Sequence, residues 1–183
     1  MRRTKALVTV TVTLTLLLPA VSSAAEPLFR PGTRSMFASL MLGPGIGARD
    51  TDTQIKLAQT FGYHFSGQSD GEAIALEVQE SFSKDFVFLE VLPRFVWDIA
   101  LSKTLPLYLS PGGGMGFNFI FPEQGDTIPG LTIQVTLELK LILDDRWLVC
   151  FRPVGVDIHP MHHDNSWHTG VRYDLMLGGG ATF

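Results

Sequence analysis

Four of the five histidines fall in one short stretch, HPMHHDNSWH, residues 159–168. His159, His162, His163 and His168, with Asp164, carry groups that suit zinc, copper or nickel. Their spacing matches no defined metal site, and one loop would have to wrap tightly round the ion. A polar exposed loop with no metal is the plainer expectation, and no cofactor is implied. In YHFSGQ, residues 63–68, His64 and Ser66 could serve as base and nucleophile. Glu90, Arg94 and Asp98 recur at every fourth position. With Arg172 and Asp174 they could gate a proton or ion path, but buried charges need partners in any case, so a structural network is the simpler reading. Cys150 could be a catalytic thiol, yet no motif surrounds it, and a small residue within a strand accounts for it. A single cysteine forms no internal disulfide. SPGGGMG, residues 110–116, lacks the Lys-Ser/Thr and the helix of a phosphate loop. Its glycines suit a strand that bends or approaches a neighbour closely.

The elements that would hold these residues follow from a period of two that hardly stops. Met36, Ala38, Leu40, Leu42 and Ile46 share one face of a first segment, opposite Phe37, Ser39, Met41, Gly43 and Gly45. Ile55, Leu57, Phe61, Tyr63 and Phe65 follow, then Ile74, Leu76 and Val78, then the run from Val87 to Leu101. A fifth segment sets Leu105, Leu107, Leu109, Met115, Phe117, Phe119 and Phe121 against Tyr108, Ser110, Asn118 and glycines. The sixth runs from Leu131 to Leu143, and the seventh from Arg146 to about His159. In the seventh the phase slips at Arg152-Pro153, as a β-bulge would make it. The eighth holds Val171, Tyr173, Leu175, Leu177, Ala181 and Phe183. Short connections suit antiparallel neighbours. A helical reading of Leu131–Leu143 fails, because period two leaves a helix no polar face.

Composition bounds the class. The 183 residues amount to about one domain. They are 45% hydrophobic and only 17% charged, against roughly 25% charged in average soluble proteins. No internal run reaches the ~18 apolar residues of a membrane helix. Arg2, Arg3 and Lys5, the mostly apolar stretch from Ala6 to Ala20, and Ser23-Ala24-Ala25 read as a signal peptide over residues 1–25, cut after Ala25. Residues 26–34 form a short lead and 35–183 a single barrel domain. Cleavage takes the net charge from −4 to about −7, which argues against nucleic acid as a partner.

Two architectures use eight such strands. A soluble lipocalin-like barrel turns its apolar face inward, which would put Leu131–Leu143 and Phe117–Phe121 in a ligand cavity. A membrane barrel turns it outward to lipid. The polar face decides for the second. It is dense in Gly, Ala, Ser and Thr, with Lys56, Glu77, Glu90, Arg94, Asp98, Glu138, Lys140, Arg152, Asp157, Arg172 and Asp174 set among them. Near-balanced charges can pair inside a narrow barrel, whose eight-stranded interior is just wide enough for side chains to fill. The expectation is therefore an all-β, eight-stranded, antiparallel up-and-down transmembrane β-barrel with a filled polar interior. Both termini would lie on the periplasmic side. The turns SGQSDG, SKT and DD would lie there too, with longer loops GARDTDT, SFSKD, PEQGDTIPG and HPMHHDNSWH outside. Phe61, Tyr63, Phe65, Trp97 and Trp147 would line one rim, and Phe117, Phe119 and Phe121 the other.

Over Ser35–Phe183 the chain resembles the small eight-stranded outer-membrane β-barrel proteins, such as the transmembrane domain of outer membrane protein A and its smaller relatives. The resemblance implies location in the cell outer membrane. It also implies that Phe183, Leu177, Leu175 and Tyr173 act as the signal read by the outer-membrane assembly machinery, with Ala181 and Gly179 smaller than the usual occupants. Outer-membrane lipid and lipopolysaccharide would be its surroundings, and a monomer its state. His64 and Ser66 also resemble the His-x-Ser pair of the outer-membrane lipid A deacylases, but Gly67 stands where that family has Asn. The function expected is a structural or interaction barrel rather than an enzyme. A narrow pore, a lipid-modifying enzyme and a soluble exported binder are the alternatives.

Overall fold

The computed structural model describes residues 32–49, 51–163 and 166–183. The expected signal peptide and most of the lead lie outside the described residues, as does Asp164. The described chain forms β1 (Met36–Arg49), β2 (Gln54–His64), β3 (Gly71–Phe82), β4 (Phe86–Ala100), β5 (Leu107–Pro122), β6 (Ile128–Leu143), β7 (Trp147–His163) and β8 (Ser166–Thr182). Each pairs antiparallel with the next, and β8 closes on β1, so the sheet has no edge. Leu42 stands opposite Leu177, and Met36 and Phe183 exchange backbone hydrogen bonds at the seam.

The strands form where two-residue alternation is strict. In β3 and β4 nearly every second side chain is buried and its neighbours are exposed. Asp144 and Asp145 make the expected tight turn, with φ of 51° and 52° and an Arg146 N–H donating to Leu143 O at 3.0 Å. Positive φ at both central residues twists the turn to match the two strands it joins. The phase slip in β7 is a bulge, the register against β8 shifting between Arg152 and Gly155. Leu148, Cys150 and Arg152 point inward before it, and Gly155, Asp157 and His159 after it.

The connections depart from expectation. Those at the end opposite the termini cover only 50–53, 83–85, 123–127 and 164–165, whereas two at the terminus end cover 65–70 and 101–106. The ends of the predicted outer loops, and most of HPMHHDNSWH, are instead strand. β7 and β8 keep pairing through HPMHHDNSWH, from His159 opposite Gly170 to His163 opposite Ser166. Polar residues do not end a ladder, because backbone pairing needs no apolar face once the strands stand in water. Leu105, expected on a strand, lies in the 101–106 connection.

The sheet is inside-out relative to a soluble barrel. Val135, Met115 and Phe117 are 61%, 63% and 64% exposed on the outer face. All eleven charged residues expected inside are buried. The Leu131–Leu143 and Phe117–Phe121 faces therefore line the exterior and no ligand cavity, which rules out the lipocalin-like arrangement. Gln59 interrupts the apolar belt in mid-strand. Phe61, Tyr63, Phe65, Trp97 and Trp147 ring the terminus end, with the Phe61 ring 6.0 Å from that of Phe183.

Candidate functional site

Interior side chains come from alternate positions of all eight strands, so strand register decides which of them meet. They sort into three tiers along the barrel axis. Nearest the termini, Lys140 Nζ donates to both Asp98 oxygens at 2.9 and 3.1 Å, and His64 Nε2 lies 2.9 Å from Asp98 Oδ2. The ammonium of Lys140 stands over the Phe37 ring at 4.7 Å.

In the middle tier, Arg152 donates to Glu77 at 2.7 and 3.2 Å and to Glu138 at 2.8 and 3.1 Å. Arg94 donates to Glu77 and Thr136, and to Glu138 at 3.2 Å. Two guanidinium groups thus face two carboxylates, as bidentate pairing favours. The expected role of the SPGGGMG glycines is visible here. A Cβ at Gly114 would sit 2.7 Å from Arg94 Cγ and 2.6 Å from Pro93 O. The missing side chain makes the space in which Arg94 lies.

The tier at the far end is larger. Lys56 bonds Asp157 and Asp174, and Arg172 bonds Asp157 at 2.7 Å, Glu90, and Gln54 Oε1 at 3.1 Å. Gln134 donates to Asp157 Oδ1 at 2.9 Å. Thr132 Oγ1 donates to Glu90 Oε1 at 2.9 Å, and Asn118 donates to Thr132 at 3.0 Å. His159 Nδ1 lies 3.1 Å from the same Thr132 oxygen. A cavity of about 200 Å³ opens above this tier, lined by Thr51, Asp52, Gln54, Phe86, Phe88, Ile120 and His159.

The sequence-predicted residues are thus distributed rather than gathered. Glu90, Arg94 and Asp98, read as one group, enter three different tiers. Four residues of strand span about 13 Å, too far for direct pairing. Glu138 and Arg152 join Arg94, Lys140 joins Asp98, and Arg172 and Asp174 join Glu90. Sequence reasoning named Lys56, Glu77 and Asp157 as interior charges without giving them weight in the network. They turn out to bridge strands far apart in the chain, and only their inward phase could have marked them.

The catalytic reading of His64 and Ser66 meets a geometric obstacle. His64 is buried against Asp98, while Ser66 is exposed in the 65–70 turn, its Oγ donating to Asp70 O at 2.7 Å. Phase predicts an inward position for both, but the strand ends at His64, so Ser66 escapes it. Cys150 is a buried interior residue packed with Met41, Tyr108, Leu148 and Met176. His159 is buried, and the side chains of His162, His163 and His168 lie outside the described residues. Tyr173, Leu175, Leu177 and Phe183 all face outward.

No protein-family model and no curated protein matches the chain. Solved structures do match in fold. Neisserial surface protein A aligns with a TM-score of 0.64 at 10% identity, covering 85% of this chain and 100% of that one. The N-terminal β-barrel domain of Pseudomonas aeruginosa OprF aligns at 0.56 and 10% identity, covering 84% and 100%. A major outer membrane protein from Thermus thermophilus aligns at 0.53 and 13% identity, covering 81% and 100%. The fold of this chain is the small eight-stranded barrel that these structures share.

Proposed function

We propose that this chain is an outer-membrane β-barrel protein of structural or interaction type. Its interior serves as a polar core, and its outward hairpins are the surface it offers. The observation that carries this reading is the pairing of three stacked charge tiers behind a closed, apolar outer wall. In lipid every strand N–H and C=O must be bonded, and closure onto β1 meets that demand. Filling the lumen with bonded arginine and carboxylate side chains removes the continuous water column that a pore needs. The termini lie at the periplasmic end and the β5–β6 and β7–β8 hairpins outside. Lipopolysaccharide and lipid surround a monomer. Phe183 with Leu177, Leu175 and Tyr173 presents the assembly signal at the seam strand.

Two measurements test this. Membrane fractionation with gel mobility before and after boiling is expected to give an outer-membrane species whose mobility shifts on heating. A soluble periplasmic species with no shift overturns the reading. Reconstitution in planar bilayers is expected to give no steady conductance, and stable unitary currents would make the chain a narrow pore instead. Unchanged lipid A acylation on expression is the outcome expected of a barrel without enzymatic activity.

A further inference from the structure

Gln59 stands exposed on the outer wall, in the middle of an otherwise apolar belt. Its amide makes no hydrogen bond among the described residues. It lies four residues along β2 from Tyr63. That is about 13 Å of strand, or about 10 Å of depth at a tilt of ~40°. Tyrosine at a rim marks the headgroup level, so the ester and phosphate oxygens of lipid lie well short of Gln59. An amide left unbonded at that depth costs free energy. Only a polar group of another protein surface can meet it there.

The wall beside Gln59 is uneven, and strand register gives the reason. Trp147, Ala181, Ala38 and Phe61 are successive partners across β7, β8, β1 and β2. The next outward row, farther from the termini, reads Val149, Gly179, Leu40 and Gln59. Two bulky rings, Trp147 and Phe61, thus stand three strand spacings apart, about 14 Å. Ala181, Ala38 and Gly179 leave the space between them low, and a groove of about 860 Å³ results. Phe61 is its raised border, exposed, with its ring 6.0 Å from that of Phe183. A ridge and a hollow therefore lie side by side on one wall.

Trp147 begins β7, whereas Phe61 lies three residues inside the end of β2, so the row climbs from β7 to β2. The strands accordingly lean back toward the groove as they rise. That lean carries Gln59 to a place above Ala38, between Phe61 and the centre of the groove. A twofold axis through that place, along the membrane normal, swings Phe61 of each barrel over the groove of the other. It also sets the two Gln59 amides face to face at one depth. An amide carries donor and acceptor at its tip, so two of them bond reciprocally. An isologous contact uses one patch twice, and a ridge beside a groove makes the patch self-complementary. Small residues let neighbours approach closely in lipid, where apolar surface alone gains nothing over acyl chains.

We propose that two copies of this chain associate side by side in the membrane through this patch of β1, β2 and β8. The two Gln59 amides bond each other, and each Phe61 seats against Ala38, Gly179 and Ala181 of the other copy. The monomer is the unit that folds, since every strand ladder closes within one chain. Pairing is a later, reversible step, and it rests on the reading of the outer wall as lipid-facing.

Sedimentation equilibrium of the folded chain in density-matched detergent micelles is the test. A reversible monomer–dimer equilibrium with no larger species is expected. Gln59→Leu is expected to weaken the dimer by about tenfold. Ala181→Leu and Ala38→Leu fill the groove from different strands, so one remains informative if the other fails to close. Each is expected to leave only monomer, with heat-modifiable mobility retained. Val135→Leu, on the outer face of β6, is expected to change nothing. The native Cys150 is buried, so Gln59→Cys supplies the one accessible thiol. It is expected to give a disulfide-linked dimer on mild oxidation in phosphatidylcholine vesicles, and Val135→Cys to give none. Monomer at every concentration overturns the proposal. So does a dimer that Gln59→Leu and Ala181→Leu leave unchanged, or a monomer that retains one phospholipid in the groove by native mass spectrometry. Each of these outcomes leaves the outer-membrane barrel standing, because fractionation and heat-modifiable mobility test that reading separately.

Discussion

Arg152 offers the sharpest test of the interior. Its guanidinium makes four hydrogen bonds to carboxylates, two to Glu77 and two to Glu138, and it is fully buried. Arg152→Met keeps an unbranched apolar stem but removes the guanidinium and leaves Arg94 alone against two carboxylates. Removing one partner of a buried ion pair costs about 3–5 kcal/mol, because the remaining charge is uncompensated. Adding Glu138→Gln to the same chain restores one cation to one carboxylate. The double variant is therefore expected to regain stability relative to Arg152→Met, with a coupling energy of about 2 kcal/mol or more. Urea unfolding in detergent micelles, followed by fluorescence of the rim tryptophans Trp97 and Trp147, measures each step of the cycle. Gel mobility without boiling checks that every variant closes. If the two substitutions are simply additive, the tier is not a charge-balanced unit, and the argument that the interior is held by pairing fails.

Three further perturbations bear on the fold. Deleting Pro153 removes the bulge, so Asp157 and His159 would turn to the outer face; loss of the heat-modifiable species is expected, and a normally folded deletion would refute the bulge. At Gly180 a Cβ would lie 1.9 Å from Ala38 O, so Gly180→Val is expected to keep β8 from closing on β1, seen as protease sensitivity of the refolded barrel. In the 65–70 turn, burial holds the Asp70 carboxyl above its ordinary value, with the His64 charge opposing the shift. The folded state then binds that proton more tightly than the unfolded chain, so this residue's contribution is most favourable in acid and is lost as pH rises through the raised value. Asp70→Asn is expected to remove that decline and to stabilise the barrel at neutral pH, as read by urea midpoints between pH 3 and 7.

Much of the architecture was present in the order of residue types. A side chain in a strand alternates faces whatever its neighbours do, so the inward set from Lys56 to Asp174 could be named from phase alone. The same rule exposed the bulge at Arg152-Pro153, because a one-residue slip inverts every later side chain. Two adjacent aspartates between periodic runs marked the β6–β7 turn. Where period gives way to polarity the reading failed. HPMHHDNSWH looked like a loop because its residues are polar, yet the backbone ladder runs through it.

Partnership is a property of the closed barrel. Closing eight tilted strands sets residues more than a hundred positions apart at one height, as Lys56 is with Asp157 and Asp174. Residues four apart on one strand are sent to different heights, as Glu90, Arg94 and Asp98 are. Nothing in local sequence encodes the axial level of a side chain, which depends on the register of every strand between two partners. The contact of His159 Nδ1 with Thr132 Oγ1, on another strand, has the same origin. Which side chains face inward follows from the two-residue period of an extended chain, and that much can be read along the sequence. Which of them meet follows from closure, because only the completed ring of registers sets them at a common height.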